Sequence, residues 1–143
     1  MRYPAIITKK GKKTLATFPD CPGCQTEADP REEISIQAAD ALTGWLEAHL
    51  ILGRVPPQPS TRKPRGRVLW IEVPAGLAVK LLIRWARNEA GLTQARLAKR
   101  AKVTQQMIAK LENPNYNPTL EALEKVASAL GARLEVNFAQ DAA

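Results

Sequence analysis

Hydrophobic positions change period several times along the chain, and each change marks an element. Tyr3 to Lys9 alternates loosely and is rich in Ile and Thr, which predicts a strand. Lys10-Gly11-Lys12 supplies a turn and Thr14 to Phe18 a second strand, the hairpin signal of a glycine between β-formers. Pro19 to Gly23 breaks the chain, and Cys24 to Ala28 predicts a short third strand. Asp29 stands where it would cap a helix whose first turn holds Pro30, Glu32 and Glu33, the acidic start that a helix dipole favours. Ile34, Ala38, Ala41, Leu42, Trp45, His49 and Leu52 recur at spacings of three and four, a single stripe that Gly53 closes. Residues 55–67 are polar and proline-rich, resembling a linker, and Val68 to Val73 predicts a last strand. A lone strand is not stable, so this one is assigned to the first sheet, giving β-β-β-α-β with one helix across a small sheet.

Beyond Pro74-Ala75-Gly76 the period becomes helical. Leu77, Leu81, Leu82 and Trp85 form the stripe of a helix that ends at Gly91. Two short helices follow, capped by Thr93 and Thr104, whose hydroxyls accept from orphan backbone N–H groups. The first buries Leu97 and Ala98, the second Ile108 and Leu111, and Val103 plugs the corner; a small Ala98 opposite Ile108 allows a close crossing. Gln105, Gln106, Ala109 and Lys110 are left on the other face of the second helix. This is the helix-turn-helix arrangement, in which the second helix enters the major groove. After the loop Pro114 to Pro118, Thr119 caps a helix with Leu120, Leu123, Val126, Ala127 and Leu130 inward. Arg133 to Phe138 alternates strictly, with Leu134, Val136 and Phe138 on one side, and has no partner strand in its own domain. An open edge invites another chain. A two-fold homodimer, alone or within a higher oligomer, is therefore expected, setting two recognition helices about one DNA turn apart. The fold class is α+β, with domains 1–74 and 75–143.

Charge sharpens this picture. The net charge is +7, from 21 basic and 14 acidic residues. Residues 75–118 carry a net +6, while residues 119–143 carry −2. The positive excess of the second domain thus coincides with the helix-turn-helix, where phosphates would lie. No stretch of 18 apolar residues is present and Met1 to Pro4 opens no apolar signal region, so a cytoplasmic protein is expected.

Catalytic chemistry finds little to work with. Cys21 and Cys24 form a lone C-x-x-C in D-C-P-G-C, and Pro22-Gly23 between them favours a structural turn over metal or redox use. His49, the one histidine, lies in the stripe of a helix. Metal-dependent phosphodiester cleavage needs converging carboxylates. The first strand has none and is flanked by Lys9, Lys10, Lys12 and Lys13. No Ser/His/Asp, Cys/His or phosphate-loop pattern stands out, so no enzyme, cofactor or metal is expected.

Two resemblances attach to these motifs. Residues 77–131, and Thr104-Gln105-Gln106-Met107-Ile108-Ala109-Lys110-Leu111-Glu112-Asn113 above all, resemble the lambdoid phage repressor (Xre) family. The resemblance implies that Gln105 and Gln106 contact base edges, a glutamine amide matching adenine N6 and N7. It places Thr104, Met107, Ala109, Lys110, Lys99 and Arg100 at the same DNA surface. It further implies that Gln94 meets a phosphate, that Tyr116 or Asn117 does so from the following loop, and that Arg87 pairs with Glu112 inside the fold. One departure is Lys102, at a turn position usually held by glycine. Residues 1–75 resemble the HicB antitoxins, through Tyr3-Pro4-Ala5-Ile6-Ile7, Asp20-Cys21-Pro22-Gly23-Cys24 and Trp45-Leu46-Glu47. That resemblance implies a reduced ribonuclease H-like fold without catalysis. It also implies a HicA-like partner toxin that cleaves mRNA, blocked through residues around Phe18, Asp20 and Pro22 or through the lysine-flanked strand, taken as an edge. The expected function is an antitoxin that also represses its own operon. The alternatives are a stand-alone repressor with a ligand-sensing N-terminal domain, or a residual nuclease.

Overall fold

The computed structural model describes residues 1–141. In chain order it runs β1 (Arg2–Lys10), β2 (Lys13–Thr17), β3 (Gln25–Ala28), α1 (Ile34–Ile51), β4 (Arg67–Glu72), α2 (Ala75–Glu89), α3 (Gln94–Ala101), α4 (Gln105–Leu111) and α5 (Leu120–Ala129). It is an α+β chain that divides into two compact units, Met1–Leu82 and Ile83–Ala143, so the division falls inside α2. Residues 142 and 143, the end of the expected second domain, lie outside the described residues.

The first unit is built on an antiparallel sheet of order β3-β2-β1-β4. Gly11, at φ +62, makes the tight β1–β2 turn that sets Lys10 opposite Lys13 and Ile6 opposite Thr17. Strand β4 returns along the other side of β1, with Arg67 opposite Ile7 and Arg2 opposite Glu72. The lysine-flanked strand β1 is therefore interior, not an edge as expected; the edges are β3 and β4. Alternation along β1 and β2 sends Tyr3, Ala5, Ile7 and Ala16 to one fully buried face. Helix α1 packs on the sheet and buries Ala38, Leu42, Leu46 and Leu50, four residues apart in a single row.

That row differs in phase from the expected stripe. Leu46 and Leu50 replace Trp45, His49 and Leu52, and Leu52 is 65 % exposed. Trp45 and His49 are half-buried on the flank, their rings stacked at 3.7 Å, with His49 Nδ1 2.8 Å from the Trp45 carbonyl oxygen. The start of α1 also differs. Glu32 N–H donates to the Asp29 carbonyl and Asp29 N–H to Glu32 Oε1, closing a turn that holds Pro30 and both carboxylates ahead of the helix. Glu33 becomes the N-cap and has no side-chain cap bond. The proline-rich segment is no free linker. Tyr3 Oη donates to the Pro57 carbonyl at 2.6 Å, and the Ser60 N–H donates to Asp20 Oδ2 at 2.8 Å.

In the second unit, α5 turns Leu123 and Val126 inward, while Leu120, expected inside, is 61 % exposed. Within α2, Leu77, Leu81 and Trp85 are buried as expected, but Leu82 is 55 % exposed and Ile83 is buried instead. Residues 132–141, which hold the expected strand, carry no regular secondary structure in the single chain. A strand is defined by its ladder, and one chain offers this segment no ladder partner.

The phase of α1 is testable by denaturation. Leu46→Ala opens a cavity between helix and sheet and should cost about 2–5 kcal/mol. Leu52→Ala, on the solvent side, should stay within about 0.5 kcal/mol of the parent.

Candidate nucleic-acid interface

Helices α3, α4 and α5 each start on a threonine. Thr93, Thr104 and Thr119 accept through Oγ1 from the N–H groups of Arg96, Met107 and Ala122, all at 3.1 Å. Lys102 ends α3 in the left-handed region, at φ 56 and ψ 41. There the Val103 N–H reaches the Ala98 carbonyl and the chain reverses into α4. For a residue with a Cβ this conformation costs about 1–2 kcal/mol, and Lys102 is the one non-glycine with positive φ among the described residues.

Helical geometry then sorts α4 into two faces. At about 100° per residue, Met107, Ile108 and Leu111 point one way; Ile108 and Leu111 are fully buried and Met107 is half-buried. Gln105, Gln106, Ala109 and Lys110 point the other way and all four are exposed. Lys99 and Arg100, on the last turn of α3, are exposed as well. The loop after α4 is held by local bonds. Asn113 Oδ1 accepts from the Asn115 N–H at 2.9 Å, and the Asn113 carbonyl accepts from the Tyr116 N–H at 3.1 Å. Lys110 Nζ lies 5.9 Å from the centre of the half-buried Tyr116 ring, and Asn117 is exposed.

One buried carboxylate fixes these helices. Glu112, at the C-cap of α4, is 1 % exposed. Its Oε1 accepts from Arg84 Nε and from Arg87 Nη2 at 2.9 Å. Its Oε2 accepts from Arg87 Nε and from Gln94 Nε2, both at 3.0 Å. Arg87 Nη1 also donates to the Leu92 carbonyl at 2.9 Å, closing the α2–α3 turn. A carboxylate at a helix C-terminus is disfavoured by the dipole, and burial adds desolvation; the guanidinium bonds offset both. The expected Arg87–Glu112 pair is present. Arg84 was not foreseen, although its place three residues before Arg87 put it on the same helix face. Gln94, expected on a phosphate, has its amide nitrogen turned inward to Glu112.

The first unit places its candidates unevenly. Phe18 is 3 % exposed and belongs to the core, so it cannot meet a partner at the surface as expected. Asp20 is half-buried and accepts from Ser60, and Pro22 is exposed. Cys21 and Cys24 are both free and buried, closing a turn in which the Cys24 N–H donates to the Cys21 carbonyl at 2.9 Å. Burial pushes Cys21 up to about 12, helped by Cys24 and Asp20, and Cys24 up to about 11. These thiols stay protonated at neutral pH and act as small apolar residues. Among the described residues no group of three or more His, Cys, Asp or Glu side chains is arranged to hold a metal ion, and no helix is long and apolar enough to cross a membrane.

Two measurements follow from these burials. Glu112→Ala leaves guanidinium charge under the recognition helix without its carboxylate, and should cost about 3–5 kcal/mol in denaturation. For the cysteines, folded values above the ordinary 9.0 mean that their contribution to stability is complete below pH 9 and is lost as pH rises towards 11–12. At pH 8, iodoacetamide should label the native chain only as fast as it unfolds; rapid labelling of the folded form would exclude the buried, protonated pair.

Comparison with known proteins bears on both units. A helix-turn-helix family model matches residues 83–137. An immunity repressor protein of Bacillus phage phi105 is 42 % identical over 52 residues, 36 % of this chain and 36 % of that protein. Antitoxin HicB of Escherichia coli (strain K12) is 29 % identical over 137 residues, spanning 95 % of this chain and 98 % of its own length. Antitoxin HicB 1 of Photorhabdus laumondii is 32 % identical over 140 residues, 96 % of this chain and 87 % of that protein. With near-complete coverage of both chains, and a helix-turn-helix match over its own residues 83–137, this chain belongs to the HicB family of antitoxins.

Proposed function

We propose that the chain works with two hands: residues 1–74 bind and block a small HicA-like, mRNA-cleaving toxin, and residues 75–143 bind a palindromic operator and repress the operon encoding both. The observation that carries the DNA-binding half is the division of α4. Ile108 and Leu111 hold it down, and Gln105, Gln106, Ala109 and Lys110 present a polar face with Thr104 at its start. Glutamine pairs bidentately with adenine in the major groove. Lys99, Arg100, Lys110, Tyr116 and Asn117 serve the phosphates, which position the helix without specifying sequence. Gln94 holds Glu112 and reaches the backbone only with what its amide has left.

The dimer is assigned to residues 133–138. Val136 is 68 % and Phe138 94 % exposed, and with Leu134 they form one side of an alternating segment. Pairing with its copy would bury these side chains and satisfy the backbone groups that a single chain leaves open.

For the first unit, the β-β-β-α-β order supports a reduced ribonuclease H-like fold whose role is to grip a protein. Toxin contact is assigned to the surface at Pro22 and Asp20, with Phe18 supporting it from within.

Operator binding tests the DNA-binding half. Gln105→Ala or Gln106→Ala should cost about 1–3 kcal/mol at one base position and relax preference there. Changing Lys99 or Arg100 should weaken all duplexes alike and flatten the salt dependence. Normal footprints from both glutamine variants would remove α4 as the reader. Co-purification with the product of the adjacent gene, and rescue of growth when both are expressed, tests the toxin-binding half.

A further inference from the structure

Carboxylates are segregated within residues 1–74. Residues 1–19 hold five Lys or Arg and no Asp or Glu; residues 48–71 hold five more, again without a carboxylate. Seven of the eight acids lie between Asp20 and Glu47, and the eighth is Glu72. Sheet order turns this into a spatial division. The acid-free strand β1 lies beside the edge strand β4, whose one acid is its last residue, whereas β2 lies beside the opposite edge, β3, which with α1 carries the acidic segment.

Along the β4 edge the cations gather. Arg62, Lys63, Arg65 and Arg67 are all exposed, and none of the four is in an ion pair among the described residues. The loop that presents them is anchored rather than loose. Tyr3 holds it at Pro57, Asp20 holds it at Ser60, and Ser60 Oγ accepts from the Arg62 N–H at 3.2 Å. Asp20 lines one cleft with Arg62, Lys63 and Arg65. Its Oδ2 accepts the Ser60 N–H and its charge remains, so three cations against one carboxylate leave the cleft net positive.

A protein partner would want an apolar anchor at the centre of its contact, and between Ser60 and Arg67 the only large apolar residue is the half-buried Pro64. Guanidinium groups suit phosphate geometry, and a cationic run without base-reading amides suits a backbone rather than a sequence. We propose that Arg62, Lys63, Arg65 and Arg67 form a second, sequence-independent contact for the phosphate backbone of duplex DNA. It rests on the reading of α4 as the operator-binding helix. Two contacts on one chain raise the effective concentration of each for the same duplex.

The test uses the full-length chain on two duplexes, the sequence upstream of its own gene and a scrambled one, across a salt series. R62Q/K63Q/R65Q should lower the slope of log K against log salt by about 2–3 on both, since each phosphate contact contributes about 0.9. Base preference should not change. R62K/K63R/R65K, which keeps the charge, should keep the slope and so separates charge from folding. An unchanged slope in the glutamine variant would overturn the proposal. So would a slope change on single-stranded RNA alone, or intact DNA binding with loss of toxin restraint, which would give this edge to RNA or to the protein partner. Failure of the α4 reading looks different: the glutamine variants at 105 and 106 would then leave base preference untouched, whatever the loop variant does.

Discussion

A carboxylate that is 1 % exposed must be answered by donors, and Glu112 is answered by Arg84, Arg87 and Gln94. Those three side chains come from the second half of α2 and the first residue of α3, while Glu112 ends α4. One acid therefore ties three helices in sequence and fixes how α4 is rolled about its own axis. With that roll set, Ile108 and Leu111 face the core and the glutamines face outward. Removing Glu112 leaves two guanidinium groups without their carboxylate, so the cluster favours one arrangement.

The first unit rests mainly on apolar layering. A row of small and medium residues on α1 fits a sheet face made of Tyr3, Ala5, Ile7 and Ala16. Polar bonds appear at its margins, where Tyr3 and Asp20 hold the proline-rich loop. Those bonds turn an apparent linker into part of the surface, and they decide which cations face solvent. The cysteine pair belongs to the same layering: two neutral thiols under a Pro-Gly turn.

Much of this was legible in the residues. Three threonine caps announced three helices because one hydroxyl bond decides where a helix starts. Alternation and turn chemistry located the strands, and the spacing of Leu97, Ala98, Ile108 and Leu111 located the two-helix motif. Family likeness carried the Arg87–Glu112 pair and both units' identities, which periodicity could not supply. Other features were not legible. Helix α1 is apolar on more than one side, with Ile36, Ile51 and Leu52 all exposed, so its sequence does not fix which row is buried. The bonds from Tyr3 to Pro57 and from Ser60 to Asp20 join residues 54 and 40 positions apart, and no local pattern reports them. Strand β1 is interior because β4 returns along its other side, and pairing order is set by that long-range return, not by local pattern. Gln94, at the start of α3, donates its amide nitrogen to the buried Glu112, a bond across 18 residues that no local pattern reports.

The most direct test is amide hydrogen exchange on the full-length chain and on Glu112→Gln, which keeps the shape of the side chain and removes its charge. If one buried carboxylate sets the roll of α4, protection should fall across α3 and α4, while the amides of β1 and β2 exchange as they do in the parent. Equal protection of α4 in both proteins would contradict the account, because the recognition helix would then be held by its apolar contacts alone.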